Sequence, residues 1–325
     1  MTAYIVRRIL YAFPLLAGIN ILTFLLFFVV NTPDDMARMQ LGQKHVTEQA
    51  IQKWKEQRGY QMPLWWNGQS EGTGHVTETI FYTKSAGLFL FRFGRSDSGR
   101  DIGSDIMQRM WPSLAIAVPS LVFGLLANIT LAVLMVFFRS TYVELWGVIV
   151  CIAMMSISAL FYIILGQYLV GKFLLLVPIS GYDTGLNAVK FLVLPVLIGV
   201  VSGLGAGARW YRSLLLEEVE KDYVRTARAK GLSETRVLFS HVLRNALIPI
   251  LTGIVAVLPI LFMGSLITES FFSIPGLGSY TIDAINRQDF AIVRSMVFLG
   301  SALYILGLVM TDIAYTLVDP RIRLR

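Results

Sequence analysis

The chain has 325 residues, of which 55% are hydrophobic and only 15% charged, and its formal net charge is +7. A mean hydropathy of +0.63, with several apolar windows at or above the roughly 20 residues a helix needs to cross a bilayer, excludes a soluble globular domain and points to an all-α polytopic membrane protein. In that class a positive balance sets membrane topology through basic cytoplasmic segments, so nucleic acid is not expected as a partner. Cys151, the single cysteine, lies within an apolar run; it has no intrachain disulfide partner and reads as a small packing residue.

In chain order, Arg7 and Arg8 precede an apolar run over residues 9–30. The run is too long for the apolar region of a signal peptide and lacks a small-x-small cleavage site. It reads as a first span with its N-terminus in the cytoplasm, and Pro14 is tolerable where neighbouring helices cover it. Residues 31–110 contain no spanning segment and carry ten Lys/Arg against nine Asp/Glu. Long segments translocate largely regardless of charge, so this stretch is expected outside. Trp54, Leu64, Trp65, Trp66, Phe81, Leu88, Phe89 and Phe91 offer it a modest core, or in part an aromatic belt at the membrane interface. The expected division is therefore 1–30, 31–110 and a five-helix core over 111–325.

Span two is expected over residues 112–138 and span three up to residue 171, joined by a short inner loop marked by Arg139 and Glu144. The run Gly166-Gln167-Tyr168-Leu169-Val170-Gly171-Lys172 matches most of a phosphate-binding loop. It fails where magnesium would bind, because Phe173 stands in place of Ser/Thr and no strand precedes it; Lys172 reads as an interfacial anchor. Span four, residues 188–208, carries Gly199, Gly203 and Gly207 at helical spacing, a smooth stripe that allows close helix approach. That approach is either packing within the subunit or contact with a second one.

The charged stretch over residues 208–245 stands apart from everything around it. It reads as two helices in tandem, with Gly231 in the left-handed position that ends the first, Ser233 as N-cap of the second, and Glu234 at its positive end. Arg209, Arg212, Lys221, Arg225, Arg228, Lys230, Arg236 and Arg244 place it in the cytoplasm. Span five covers residues 246–270 and span six 291–318, separated by an outer turn at Ser273-Ile274-Pro275-Gly276-Leu277-Gly278. The basic tail after residue 319 is expected inside, giving six spans with both termini cytoplasmic.

Chemistry is scarce. His45, His75 and His241 are far apart and form no metal-ligand spacing, and no catalytic constellation can be argued, so neither a metal nor an enzymatic activity is expected. Glu269 and Asp312 are costly inside a membrane and should face protein or water. Glu269 is a candidate for lining a translocation pathway or a merely interfacial carboxylate, and Asp312 a partner for a basic group near the cytoplasmic end.

These residues carry a resemblance. The run Asp222-Tyr223-Val224-Arg225-Thr226-Ala227-Arg228-Ala229-Lys230-Gly231, continued by Leu232-Ser233 and Arg244-Asn245-Ala246-Leu247-Ile248-Pro249, resembles the coupling loop of the B-type permeases of dipeptide and oligopeptide ABC importers. Thr268-Glu269-Ser270-Phe271-Phe272 with Pro275-Gly276-Leu277-Gly278, the terminal Asp319-Pro320-Arg321-Ile322-Arg323 and the opening Tyr4-Ile5-Val6-Arg7-Arg8-Ile9-Leu10 are similar to that family as well. Relative to the general importer pattern, Arg225-Thr226-Ala227 stands at the EAA place, Gly231 is retained, and His241-Val242-Leu243-Arg244 replaces I-x-L-P, as is common in the peptide branch. After span one, Asn31-Thr32-Pro33-Asp34-Asp35 replaces the usual G-D-P.

The resemblance implies a type I importer permease with a long extracytoplasmic segment between helices one and two, in a bacterial inner membrane. It implies no cofactor and no nucleotide on this chain, with ATP and magnesium on two partner ATPase subunits. A second homologous permease and an extracytoplasmic binding protein that delivers peptide are implied as further partners. Tyr223, Arg225, Thr226, Ala227, Arg228, Ala229, Gly231, Leu232 and Ser233 become the ATPase-coupling residues, with Arg225 and Arg228 pairing acids of the ATPase. Nickel, glutathione, antimicrobial-peptide or peptide-siderophore cargo stays open, as does an ion-coupled secondary transporter.

Overall fold

A computed structural model describes residues 2–42 and 46–318. His45 and the terminal motif from Asp319 lie outside the described residues. The regular elements of the described chain are helices, in the order α1 (Thr2–Leu25), α2 (Pro33–Leu41), α3 (Glu48–Arg58), α4 (Gly74–Thr77), α5 (Ile80–Lys84) and α6 (Ile102–Phe137). Next come α7 (Tyr142–Met155), α8 (Ala159–Gly166), α9 (Ala188–Val219), α10 (Asp222–Ala229), α11 (Glu234–Val237) and α12 (Arg244–Val257). The last three are α13 (Leu266–Phe271), α14 (Leu277–Asn286) and α15 (Phe290–Val318). Wider π-helical turns prolong α1 over Leu26–Val30 and α8 over Gln167–Phe173, and another, Leu238–Leu243, joins α11 to α12.

Five helical runs are long and apolar enough to cross a membrane, and a sixth crossing is made if α7 and α8 count as one. The expected third span is therefore not straight. Its two halves meet at 91° across Ser156–Ser158, and the Tyr162 hydroxyl, on the far side of the break, donates to the Met154 carbonyl at 2.9 Å. The phosphate-loop-like run ends α8 and forms the π turn after it. The second and fourth spans are also longer than the hydrophobic pattern alone predicts, because α6 begins at Ile102 and α9 continues through Arg209 and Arg212 to Val219. Charged residues at span ends stay helical when they are paired, as Arg212 is with Glu144.

The chain forms two compact units. The first comprises Met1–Arg109 with Tyr280–Val309. Its core joins Phe24, Phe27 and Phe28 from the end of the first span to Met36, Ile51, Trp54, Tyr60 and Ile80, with Phe290 and Val293 packed against them. Aromatic pairs recur in it, Phe24 with Phe81 at 5.1 Å and Phe28 with Tyr60 at 5.4 Å, each contributing about 0.5–1.5 kcal/mol beyond burial. Trp54 and Leu88 are buried as the sequence suggests, whereas Trp65, Trp66 and Phe91 stay exposed. Thr32 closes a capping box with Asp35 at the start of α2, which explains why a helix follows the first span directly. Asp289 caps α15 through the Ile292 N–H and also accepts the Asp97 N–H at 2.8 Å.

The second unit comprises Met110–Ser279 with the chain from Met310. α9 packs along α7, α8 and α12, and Cys151 is fully buried beside Met135 and Ala208. The glycine stripe on α9 divides. A Cβ on Gly199 would lie 3.0 Å from the Ser120 hydroxyl and one on Gly207 only 2.5 Å from the Asn128 amide, both on α6, whereas Gly203 has nothing within 4 Å. Gly207→Leu is therefore expected to cost about 1–3 kcal/mol through overpacking, read as a lower Tm in detergent, and Gly203→Ala to leave Tm unchanged.

Candidate functional site

The site is built on the ends of α6, α9 and the α11–α12 run. The charged stretch does not form two free helices. Its first part is the end of α9, its middle is the separate short helix α10, and its last part leads through the π turn into span five. Lys221 adopts an extended conformation at the break between α9 and α10. There Glu218 receives both the Lys221 ammonium and, at 2.5 Å, the Tyr223 hydroxyl. Burial first, and the Glu218 contact second, push the Tyr223 phenol above its ordinary range, so it remains a donor.

The spacing of α10 gives it two faces. Val224 and Ala227, three apart, point inward and are buried against Ala132, Val133, Val136, Leu215 and Val219. The flanking Tyr223 and Leu232 pack against the same cluster. Full burial of a valine contributes about 1.5–3 kcal/mol, enough to hold a two-turn helix that would not form alone. The opposite face, with Asp222, Arg225, Thr226, Arg228, Ala229 and Lys230, is exposed. Gly231 ends the helix with φ of +77°, its N–H donating to the Arg228 carbonyl at 2.9 Å. Ser233 sits at the N-cap position of α11, but its side chain makes no capping bond; its backbone carbonyl accepts from Val237.

The two arginines singled out by spacing differ. Arg228 forms a fork onto the Glu234 carboxylate at 2.8 and 3.1 Å, clamping α10 to the start of α11. Arg225 has only a 3.5 Å contact with Asp222, both side chains being largely exposed. Arg225 is thus the more available cation of the pair. A groove of about 310 Å³ beside the helix is walled by Arg228 and Glu234 and floored by Val136, Val219, Val237 and Leu238. The Arg228–Glu234 clamp and the inward register of Val224 and Ala227 were missed in the sequence. The alternation of charge and small apolar residues along 222–229 was the available signal for the second.

The other candidate residue, Glu269, is 1% exposed. One carboxyl oxygen accepts the Ser265 N–H at 3.1 Å and the other the Ser279 N–H at 3.0 Å, and Ser113 and Gly278 also hydrogen-bond to it. Ser113 in turn accepts the Leu277 N–H at 2.8 Å. A Cβ on Gly264 or Gly276 would collide with the carboxyl group, and one on Gly278 with the Ser265 backbone, so these glycines let the chain close around it. Glu269 also borders a cavity of about 380 Å³, with Ser120, Ser202 and Thr268 among its polar walls. Asp312 is half-buried in α15. His241 lies half-buried in the π turn, and His75 stacks on Trp66 at 4.8 Å. No metal-holding group of side chains occurs among the described residues.

This architecture is that of a multi-pass, all-α membrane protein with a short helix held at the ends of its spans. The family described as binding-protein-dependent transport system inner membrane component matches residues 113–324. The N-terminal region of such membrane components matches residues 1–71. Among its relatives, the dipeptide transport system permease protein DppB of Alkalihalophilus pseudofirmus is 27% identical over 99% of this chain and 100% of its own. The di/tripeptide transport system permease protein DppB of Pseudomonas aeruginosa is 32% identical over 99% of each chain. The oligopeptide transport system permease protein AppB of Bacillus subtilis is 28% identical, again over 99% of each. The chain belongs to the family of inner membrane components of binding-protein-dependent transport systems.

Proposed function

We propose that the chain is the transmembrane permease subunit of an ATP-driven, binding-protein-dependent importer of di- or oligopeptides in a bacterial inner membrane, with both termini cytoplasmic. The observation that carries this reading is α10, a short helix with an apolar face seated in its own subunit and a polar face left open. The similarity to permeases named for dipeptide, di/tripeptide and oligopeptide transport supports the cargo. In this reading two ATP-binding subunits, which supply ATP and magnesium, grip the open face of α10 through Arg225, Thr226 and Ala229. Tyr223, Ala227, Arg228, Gly231, Leu232 and Ser233 hold that face in place. A second homologous permease completes the pore, and the open Gly203 face is available to it. Movement of the ATPases tilts α10 and, through Val224 and Ala227, the ends of α6 and α9, a rigid-body switch between inward- and outward-open states. Residues 31–110 receive the binding protein, and Glu269 stiffens a wall of the cavity through which peptide passes.

The test is co-purification of the detergent-solubilised chain with its partners, in wild type, Arg225→Glu and Gly231→Arg. ATPase subunits and a second permease should accompany wild type, with the ATPases lost from both variants and the permease retained. Absence of any ATP-binding subunit from wild type would overturn the reading.

A further inference from the structure

Within the first unit lies a cavity of about 510 Å³ that the importer reading does not use. That size falls in the range of small-molecule sites. Its walls are cationic. Lys84, Arg92, Arg95 and Arg294 line it together with Arg58, and Asp97 is the one carboxylate among the lining residues. Asp97 is already engaged, since it receives the Arg58 guanidinium at 2.9 Å and the Gln40 amide.

Arg294 sits at the start of α15 and is 5% exposed. Its guanidinium lies 5.2 Å over the Phe28 ring, and its buried Nε has no hydrogen-bond partner among the described residues. No ion pair to it occurs among them. Lys84 stands nearby with its ammonium 5.3 Å over the Tyr60 ring. Burial first, and the charge of Arg294 next, hold the Lys84 ammonium below the ordinary lysine range. Arg294 is drawn out of water beside the half-buried Lys84, and the one carboxylate near them, Asp97, is already held by Arg58, an arrangement that is costly until an anion completes it. Aromatic faces offset only part of that. An ionisable group kept at the end of a span under such conditions is a functional candidate by default.

The geometry points to a binding site for a small oxyanion, a carboxylate or a phosphate, in the cavity walled by Lys84, Arg92, Arg95 and Arg294. Arg294 offers a planar fork that matches two oxygens of either group, and Lys84 adds a point charge from the side. Arg92 and Arg95, both exposed, draw the anion in from the rim. The inference depends on the proposed function only for the side of the membrane that the cavity faces. Binding itself requires neither ATP nor a partner.

The full-length chain in detergent is tested by following Tm at constant ionic strength with sodium phosphate, sodium acetate, alanyl-alanine or alanyl-alanine amide. Each is raised to about 10 mM, a range that reveals millimolar affinities. At least one oxyanion is expected to raise the Tm of wild type by several degrees. Lys84→Gln should weaken that response about tenfold and Arg294→Met abolish it. Arg294→Met removes a buried unpaired charge and should itself raise the baseline Tm, so its lost response does not report unfolding. A response to alanyl-alanine and not to its amide identifies a carboxylate as the source; a response to phosphate alone identifies a phosphate. The inference is overturned if no oxyanion moves the Tm of wild type, if alanyl-alanine amide alone does, or if both variants respond as wild type does. Failure here leaves co-purification with ATPase subunits intact, so the two readings fail separately.

Discussion

Gly231→Val is expected to abolish ATP-driven uptake of a labelled dipeptide by membrane vesicles while leaving the protein inserted and folded. A Cβ at this position meets nothing within 4 Å, so crowding is not the cause. The backbone is. At φ of +77° a side chain clashes with its own carbonyl, at a cost of about 1–2 kcal/mol, and a β-branched residue adds to it. The loop is exposed and α10 is seated by a small apolar face, Val224 and Ala227 with Tyr223 and Leu232 beside them, and by the Arg228–Glu234 pair, so the chain relieves the strain by moving α10 rather than by unfolding the spans. A graded series separates conformation from contact. Gly231→Asn, which tolerates the left-handed region, should retain most uptake, and Gly231→Ala should fall between. Equal loss in Asn and Val variants would mean that the bare glycine surface itself touches the partner, and unchanged uptake in Val would remove α10 geometry from the coupling account.

The second large effect is expected at Glu269. Glu269→Ala removes the acceptor for the Ser265 and Ser279 N–H groups and leaves the buried Ser279 donor unsatisfied, at about 1–3 kcal/mol, with a smaller loss at the part-buried Ser265. The segment from Ser273 to Gly278 then loses its carboxylate anchor and keeps only bonds such as that from the Leu277 N–H to Ser113, and Tm in detergent should fall by several degrees. Glu269→Gln is the sharper experiment. Its amide keeps the shape but turns one acceptor into a donor facing an N–H, so it too should lower Tm if the carboxyl is chiefly an anchor. A Gln variant with unchanged Tm and lost uptake would instead give the carboxyl a direct part in translocation. Gly276→Ala should reproduce the destabilisation, because its Cβ enters the space of the carboxyl oxygens.

Much of this architecture was legible in the amino-acid order. Apolar run length is a local property, and it located the spans because a bilayer demands about 20 such residues wherever they occur. The left-handed turn at Gly231 and the polar character of residues 222–230 were local as well, as were the motifs by which the chain resembles importer permeases. Helix boundaries were less legible. Hydropathy marks where a segment leaves the membrane, whereas the helix ends where its hydrogen bonds end, so α9 runs past Arg212 to Val219 and α6 starts at Ile102.

What only the tertiary structure decided are matters of partnership between residues distant in sequence. Arg228 and Arg225 are equivalent in spacing, yet Arg228 is held by Glu234 and Arg225 remains open. Glu269 could be read as an interfacial carboxylate until Ser113, Ser265 and Ser279 converged on it. The glycine stripe of α9 divides because Ser120 and Asn128 on another helix fill two of its three positions. Arg294 is an ordinary basic residue at a span end until the fold buries it over Phe28 beside Lys84. Composition and periodicity set what each segment is, because they act through backbone and solvent alone. Which side chain meets which is set by chain closure, and that information is not carried by any one stretch.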